Sequence, residues 1–184
     1  MNRGAFLAEL VEEIRARGAR HIGVDGVDGA GKTWLADELA ERIDGSTRIR
    51  ADDFLYPPEV RYRLGRDSPE GFFLDSFDYD RFQRAIAGAS SPVVIADGIF
   101  LHRDELVGLW DYSIWLEVPF DISIRRGAAR GYGFGSPDPD APSNRRYVEG
   151  QQLYMARCEP QSRASVVVDN TDLAHPARVK ARAT

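Results

Sequence analysis

The sequence predicts an α/β fold, a doubly wound parallel sheet of five strands with helices on both faces. Three observations lead there. Short apolar segments alternate with segments of helical periodicity along the chain. The apolar segments run nearly unbroken, as in strands covered on both faces. A glycine-rich turn, Gly26-Val27-Asp28-Gly29-Ala30-Gly31-Lys32-Thr33, separates the first of those strands from the helix that follows. The 184 residues fit a single domain, 1–184, large enough to bury a core.

The elements follow in order. Phe6, Leu7, Leu10, Val11 and Ile14 recur at helical spacing, and Gly18 stops that helix. "RHIGVDG" reads as a buried strand, and "KTWLADELAERI" as a helix with Leu35, Leu39 and Ile43 on one face. "TRIRADDF" is the second strand. Residues 56–77, rich in Pro, Gly, Asp and Arg, form a long irregular segment with a functional role. "DYDRFQRAIAG" is a helix closed by glycine, "PVVIADG" a buried strand, "RDELVGLW" a helix and "YSIWLEV" a strand. "FDISIRRGAARG" is helical, "GYGFGSPDPDAPS" a mobile loop, "SNRRYVEGQQLYMARCEP" a capped helix and "ASVVVDN" the last strand. Trp34, Trp110 and Trp115 are expected in the core.

Composition narrows the function classes. A net charge of −5 argues against duplex nucleic acid as a partner. The lone cysteine, Cys158, has no partner for an internal disulfide and reads as a buried thiol. The charged, amphipathic N-terminus is no signal peptide, and no apolar run approaches a membrane span. The expectation is a cytoplasmic protein without membrane or nucleic-acid partners, its oligomeric state, homo-oligomer included, left open. His21, His102 and His175 are scattered and lack metal-ligand spacing.

The glycine-rich turn carries the strongest chemistry. Residues 26–33 fit G-x-x-x-x-G-K-[ST], the phosphate-binding loop (P-loop) of nucleoside triphosphatases. Backbone amides must converge on phosphate oxygens there, and side chains would obstruct them. The following helix adds its free N–H groups and dipole. Of 24 basic residues 22 are arginine, so the lysine at 32 is informative: a flexible point charge suited to the β- and γ-phosphates. Gly26, Asp28, Gly29, Ala30, Gly31, Lys32 and Thr33 are the candidate ATP-binding residues, and Thr33 would offer its hydroxyl to Mg²⁺.

Carboxylates at strand ends supply the rest, because ligands of open α/β sheets bind there. Asp97, which closes "VVIAD", stands where a metal-organising carboxylate belongs, so Thr33 and Asp97 are the candidate metal residues. Asp52 and Asp53 end "RIRADD". Strand alternation would turn one toward the phosphates and the other away. Asp52 is the candidate base that orients an acceptor hydroxyl and takes its proton. Arg125, Arg126 and Arg130 precede the Gly/Pro loop, and Arg145 and Arg146 follow it, which reads as an arginine-bearing lid over about 125–146. Four residues apart, Arg126 and Arg130 would share a helix face, and with Lys32 and Asp52 they form the candidate catalytic set. Asp53, Tyr56, Arg61, Arg63, Asp78 and Arg126 are the candidate acceptor-binding residues. Arg61, Arg63 and Arg66 suit an anionic or polyhydroxylated acceptor. Asp75, Asp78 and Asp80 could meet sugar hydroxyls, and Asp78 or Asp80 could equally cap the next helix.

From about Gly23 to Asn170 the chain resembles the uridine kinase-like branch of P-loop kinases, which includes uridine–cytidine kinases, pantothenate kinase and phosphoribulokinase. The resemblance rests on "GVDGAGKT", "ADDFLYP", "SFDYDRF", "VVIADGIFLHRDELVGLWDYSIWLEVPFDISIRR" and "SNRRYVEGQQLY". It implies ATP and Mg²⁺, Asp52 as the catalytic carboxylate, Asp78 as the holder of ribose hydroxyls, Asp97-Gly98 in place of the family's Glu-Gly, and Arg126 and Arg130 as lid arginines. One device is missing. The family's base-clamping hairpin would fall between Arg81 and Pro92, a stretch with neither Tyr nor His. The implied activity is transfer of the ATP γ-phosphoryl group to a hydroxyl of a small molecule, a nucleoside first. The alternatives are a kinase of a non-nucleoside metabolite (pantothenate-like, sugar or antibiotic) and a nucleotide-binding regulator that transfers nothing. No Asn-Lys-x-Asp signature of a guanine-specific switch is present.

Overall fold

The computed structural model describes residues 2–131 and 134–179. Tyr132 and Gly133 of the expected lid, and Lys180, lie outside the described residues. The strands are β1 (His21–Gly26), β2 (Ser46–Arg50), β3 (Val93–Asp97), β4 (Tyr112–Glu117), β5 (Val166–Asp169) and β6 (Ala177–Arg178). They form one sheet in the order β2-β3-β1-β4-β5-β6. The five expected strands are parallel, and the two-residue β6 adds an antiparallel edge on β5. β6 was not anticipated because "AR" has no apolar pattern to mark it.

The helices are α1 (Arg3–Ala16), α2 (Lys32–Arg42), α3 (Pro58–Arg61), α4 (Pro69–Asp75), α5 (Tyr79–Ala87), α6 (Phe120–Ala129), α7 (Arg145–Cys158) and α8 (Pro160–Arg163). Phe6, Leu7, Leu10, Val11 and Ile14 are all buried, as the periodicity of α1 requires. Asn2 caps α1 by accepting from the Ala5 amide at 3.0 Å. β1, β3 and β4 are buried along almost their whole length, which explains their unbroken apolar runs. β1 lies centrally, between β3 and β4; the chain leaves β1 toward β2 on one side and β4 toward β5 on the other. The crevice at the carboxyl ends of β1 and β4 is therefore the switch point of the sheet.

Five expectations are corrected. "RDELVGLW" forms only a 3-10 turn, Val107–Leu109, because its polar residues leave no continuous apolar face. Trp34 is 52% exposed with the Arg3 guanidinium over its ring, while Trp115 is buried. α7 begins without a side-chain cap. The Asn144 side chain instead accepts from the Gly135 amide and donates to the Ser136 and Asp138 carbonyls, pinning the described part of the loop read as mobile. The segment 56–77 is not wholly irregular, since it holds α3 and α4.

α4 and α7 pack closely at Gly150. A Cβ there would lie 2.8 Å from the Phe72 ring and from the Pro69 carbonyl. This approach brings Tyr147 edge-on to Phe72, with centroids 4.9 Å apart and planes at 82°. Cys158 is buried, as expected, and burial pushes its thiol up. Among the described residues no helix is long and apolar enough to cross a membrane.

Candidate active site

A cavity of about 690 Å³ opens at the carboxyl end of the sheet. It is lined by Asp28, Gly29, Gly31, Lys32 and Thr33 from the glycine-rich turn, by Asp52 and Asp53, and by Asp97. Arg61, Arg130, Leu55, Phe72, Phe77 and Tyr147 also face it.

The turn is shaped for close approach. Gly29 has φ +80° and packs so tightly that a Cβ would collide with the Ser123 carbonyl of α6. α2 starts at Gly31, φ +96°, with no side-chain acceptor on its first-turn amides. Those amides, which a helix cannot satisfy internally, are left for a ligand. The loop is fastened from outside: Gln151 of α7 accepts from the Asp28 amide at 2.6 Å, and Asn170 donates to the Ala30 carbonyl at 2.7 Å. Lys32 Nζ donates to Val27 O at 2.9 Å and lies 3.9 Å from Asp28. Gly29→Ala is expected to destabilise the fold by about 1–3 kcal/mol, the usual cost of strained backbone, and to lower Tm in thermal unfolding. A Tm unchanged within a degree would contradict this packing.

The acidic residues meet as the strand ends predict, with one correction. β2 stops at Arg50, and Ala51–Phe54 form a 3-10 turn. Alternation therefore no longer separates Asp52 from Asp53, and both line the cavity. The Asp52 carboxylate is 45% exposed into the recess and lies 3.7 Å from Arg50. Burial in the recess pushes its pKa up, Lys32 and Arg50 pull it back, and Asp97 and Asp53 push it further up. Burial likewise raises Asp28, against Lys32. Asp97 is buried. It accepts from the Thr33 hydroxyl at 2.7 Å and pairs with Arg48. Hydroxyl and carboxylate thus meet beside the phosphate loop, oxygen donors of the kind that would hold a Mg²⁺. Among the described residues no all-protein metal cluster exists.

The arginines divide. Arg130 lines the cavity, but Arg126 does not: its guanidinium donates to the Asn170 and Thr171 carbonyls after β5. Arg130, the C-cap of α6 with helical dihedrals, stays near enough for its charge, after burial, to lower the Arg126 pKa, but Arg126 is turned to the backbone after β5. Arg125 pairs with Asp121. Arg61 lines the cavity, whereas Arg63 is held by Asp75 through two bonds of 2.8 and 2.9 Å. Asp78 caps α5 by accepting from the Arg81 amide at 2.9 Å, and neither it nor Tyr56 lines the cavity.

Sequence reasoning missed a buried cluster under the turn. Asp25 is fully buried at the end of β1. Its carboxylate meets His102 Nδ1 at 2.8 Å and accepts from the Tyr154 hydroxyl at 2.5 Å and the Leu101 amide at 3.0 Å. Burial, then the Asp25 charge, raises the Tyr154 hydroxyl well above its usual range. The cluster ties β1, the segment after β3 and α7 together beneath the phosphate loop. Its only signal in the sequence was a carboxylate inside an apolar strand.

A glycine-rich phosphate-type loop, a carboxylate just past the next strand end and a Thr–Asp pair share one recess, the groups that phosphoryl transfer calls for. No family model matches the chain. The chain is 29% identical over 140 residues to nicotinamide riboside kinase 1 of Rattus norvegicus, covering 64% of this chain and 69% of that one. It is 23% identical over 177 residues to a uridine kinase of Lactobacillus helveticus, covering 80% and 84%. The solved structure of a possible uridine kinase from Bacillus stearothermophilus superposes with a TM-score of 0.67 at 20% identity, covering 88% of this chain and 96% of that one. The chain is thus similar in sequence to kinases named for nicotinamide riboside and uridine, and shares the fold of a possible uridine kinase.

Proposed function

We propose that the chain is an ATP-dependent kinase that transfers the γ-phosphoryl group to a hydroxyl of a small molecule, a nucleoside first. One observation carries the reading: Lys32 and Asp52 line the same recess, with an aromatic wall of Phe72, Phe77 and Tyr147 at its side. The wall suits a planar ring, and the curated relatives include kinases named for ribonucleosides. The amides of residues 28–33 cradle the donor phosphates, and Lys32 leaves Val27 to pair with them. Thr33 and Asp97 would hold Mg²⁺, which neutralises charge on the phosphates when bound. Asp52 accepts the proton of the attacking hydroxyl. Arg130 balances charge on the transferring group, while Arg126 holds the turn after β5 and supports the lid from behind.

The test is a panel of ribonucleosides, pantothenate and free sugars, read as acceptor-dependent ADP release. Ribosides are expected to exceed the other alcohols at least tenfold in kcat/KM. Turnover of pantothenate or sugars alone would move the acceptor to the non-nucleoside class. ATP binding with no turnover on any acceptor would leave a nucleotide-binding regulator.

A further inference from the structure

Resting on the kinase reading above, we propose that the acceptor carries an anionic group, a carboxylate or phosphate, that Arg61 binds in the cavity. Among the cations that line the cavity Lys32 has Asp28 and Arg50 has Asp52 as neighbours of opposite charge, and Arg63, two residues on from Arg61, has Asp75, whereas Arg61 and Arg130 have no carboxylate partner among the described residues. Arg61 lines the cavity, and among the described residues no carboxylate pairs with it. Its Nε is shut off from solvent without a hydrogen-bond partner. A donor left bare in this way costs free energy, and a shift of the Arg61 side chain would be needed to present it to an acceptor in the cavity.

The surroundings deepen the imbalance. Arg146, 7% exposed, donates to the carbonyls of Arg61, Gly65, Arg66 and Ser68 at 3.0–3.2 Å and has no carboxylate partner among the described residues. Burial, with Arg61 nearby, pulls the Arg146 pKa down. Arg66, Arg146 and Arg61 stand 4.9, 5.0 and 5.4 Å from the Tyr62 ring. Arg61, which lines the cavity with Phe72 and Tyr147, shares the Tyr62 ring with two further guanidiniums that do not line it, and the three give this wall a positive charge. Such a wall favours an anion and repels a cation. The planar fork of Arg61 matches the paired oxygens of a carboxylate or phosphate. A cationic pyridinium riboside would meet the wall as a like charge.

The experiment compares matched acceptors in kcat/KM: uridine with orotidine, nicotinamide riboside with nicotinic acid riboside, and ribose with ribose 5-phosphate. The first two pairs test a carboxylate and the third a phosphate. The anionic member is expected to lead at least tenfold in at least one pair. Arg61→Gln should cut that lead at least tenfold, mainly through KM, and Arg61→Lys, which keeps charge without the fork, should retain part of it. A second readout needs no turnover. With the phosphate loop filled by a non-hydrolysable ATP analogue and Mg²⁺, millimolar malonate should raise the Tm of the wild type and not of Arg61→Gln. Equal or inverted preference in every pair that turns over would overturn the proposal. So would malonate acting alike on both proteins. If no acceptor is phosphorylated, the kinase reading fails, and the malonate comparison alone decides the anion site.

Discussion

Lys32→Ala is expected to lower kcat/KM for phosphoryl transfer by about 10³-fold, roughly 4 kcal/mol of transition-state stabilisation. The side chain is only 10% exposed and belongs to the loop that lines the cavity. Its ammonium touches a loop carbonyl and sits near Asp28, both weak partners beside a polyphosphate. Removing it leaves Asp28 without its nearest cation, yet takes nothing from the core around Leu35, Ala36 and Leu39. The fold should survive, with an unchanged far-UV spectrum. Steady-state assays at saturating Mg-ATP check the prediction, and near-normal turnover would remove Lys32 from the phosphate site.

Asp52→Asn is the second large effect, a loss of about 10²–10⁴-fold in kcat, the range for a positioned general base. Asparagine keeps the shape and cannot take the proton. Burial raises the Asp52 pKa above that of an ordinary aspartate. The acid limb of the kcat profile should therefore be shifted toward higher pH than an unperturbed aspartate would give, and Asp52→Asn should erase that limb. The stability consequence has the opposite direction. A carboxyl whose folded pKa is raised contributes stability that is present below its unfolded pKa and lost as pH rises through its folded pKa. At pH 7 the ionised Asp52 therefore weighs against the fold, and the asparagine variant should be as stable as the wild type or more so. An inactive variant with a lower Tm at pH 7 would make Asp52 a structural residue.

The phosphate loop was legible because its residues are contiguous and its chemistry fixes their types. Asp97 was legible because a strand end fixes its place. The acceptor wall was not. Phe72 and Tyr147 are far apart in sequence and meet only because Gly150 lets α7 close on α4. Arg146 looked like one more lid arginine and instead staples the 61–68 segment through its carbonyls. Periodicity misled where an element ended early: β2 at Arg50, which freed Asp53 to face the cavity; at Arg126 it gave the neighbour, Arg130, but not the carbonyls after β5 that hold the guanidinium. Asp78 could be read from the sequence as cap or as ligand, and its carboxylate is spent on the Arg81 amide. Arg48, which pairs with Asp97, gave no warning, because an arginine in a half-buried strand resembles any solvated one.

Calorimetric titration of Mg-ATP into the wild type and Lys32→Ala tests the central claim, that residues 26–33 hold a triphosphate. Saturable binding at one site per chain, weakened at least tenfold by the substitution, is the predicted result. No heat of binding to the wild type at millimolar nucleotide would contradict it.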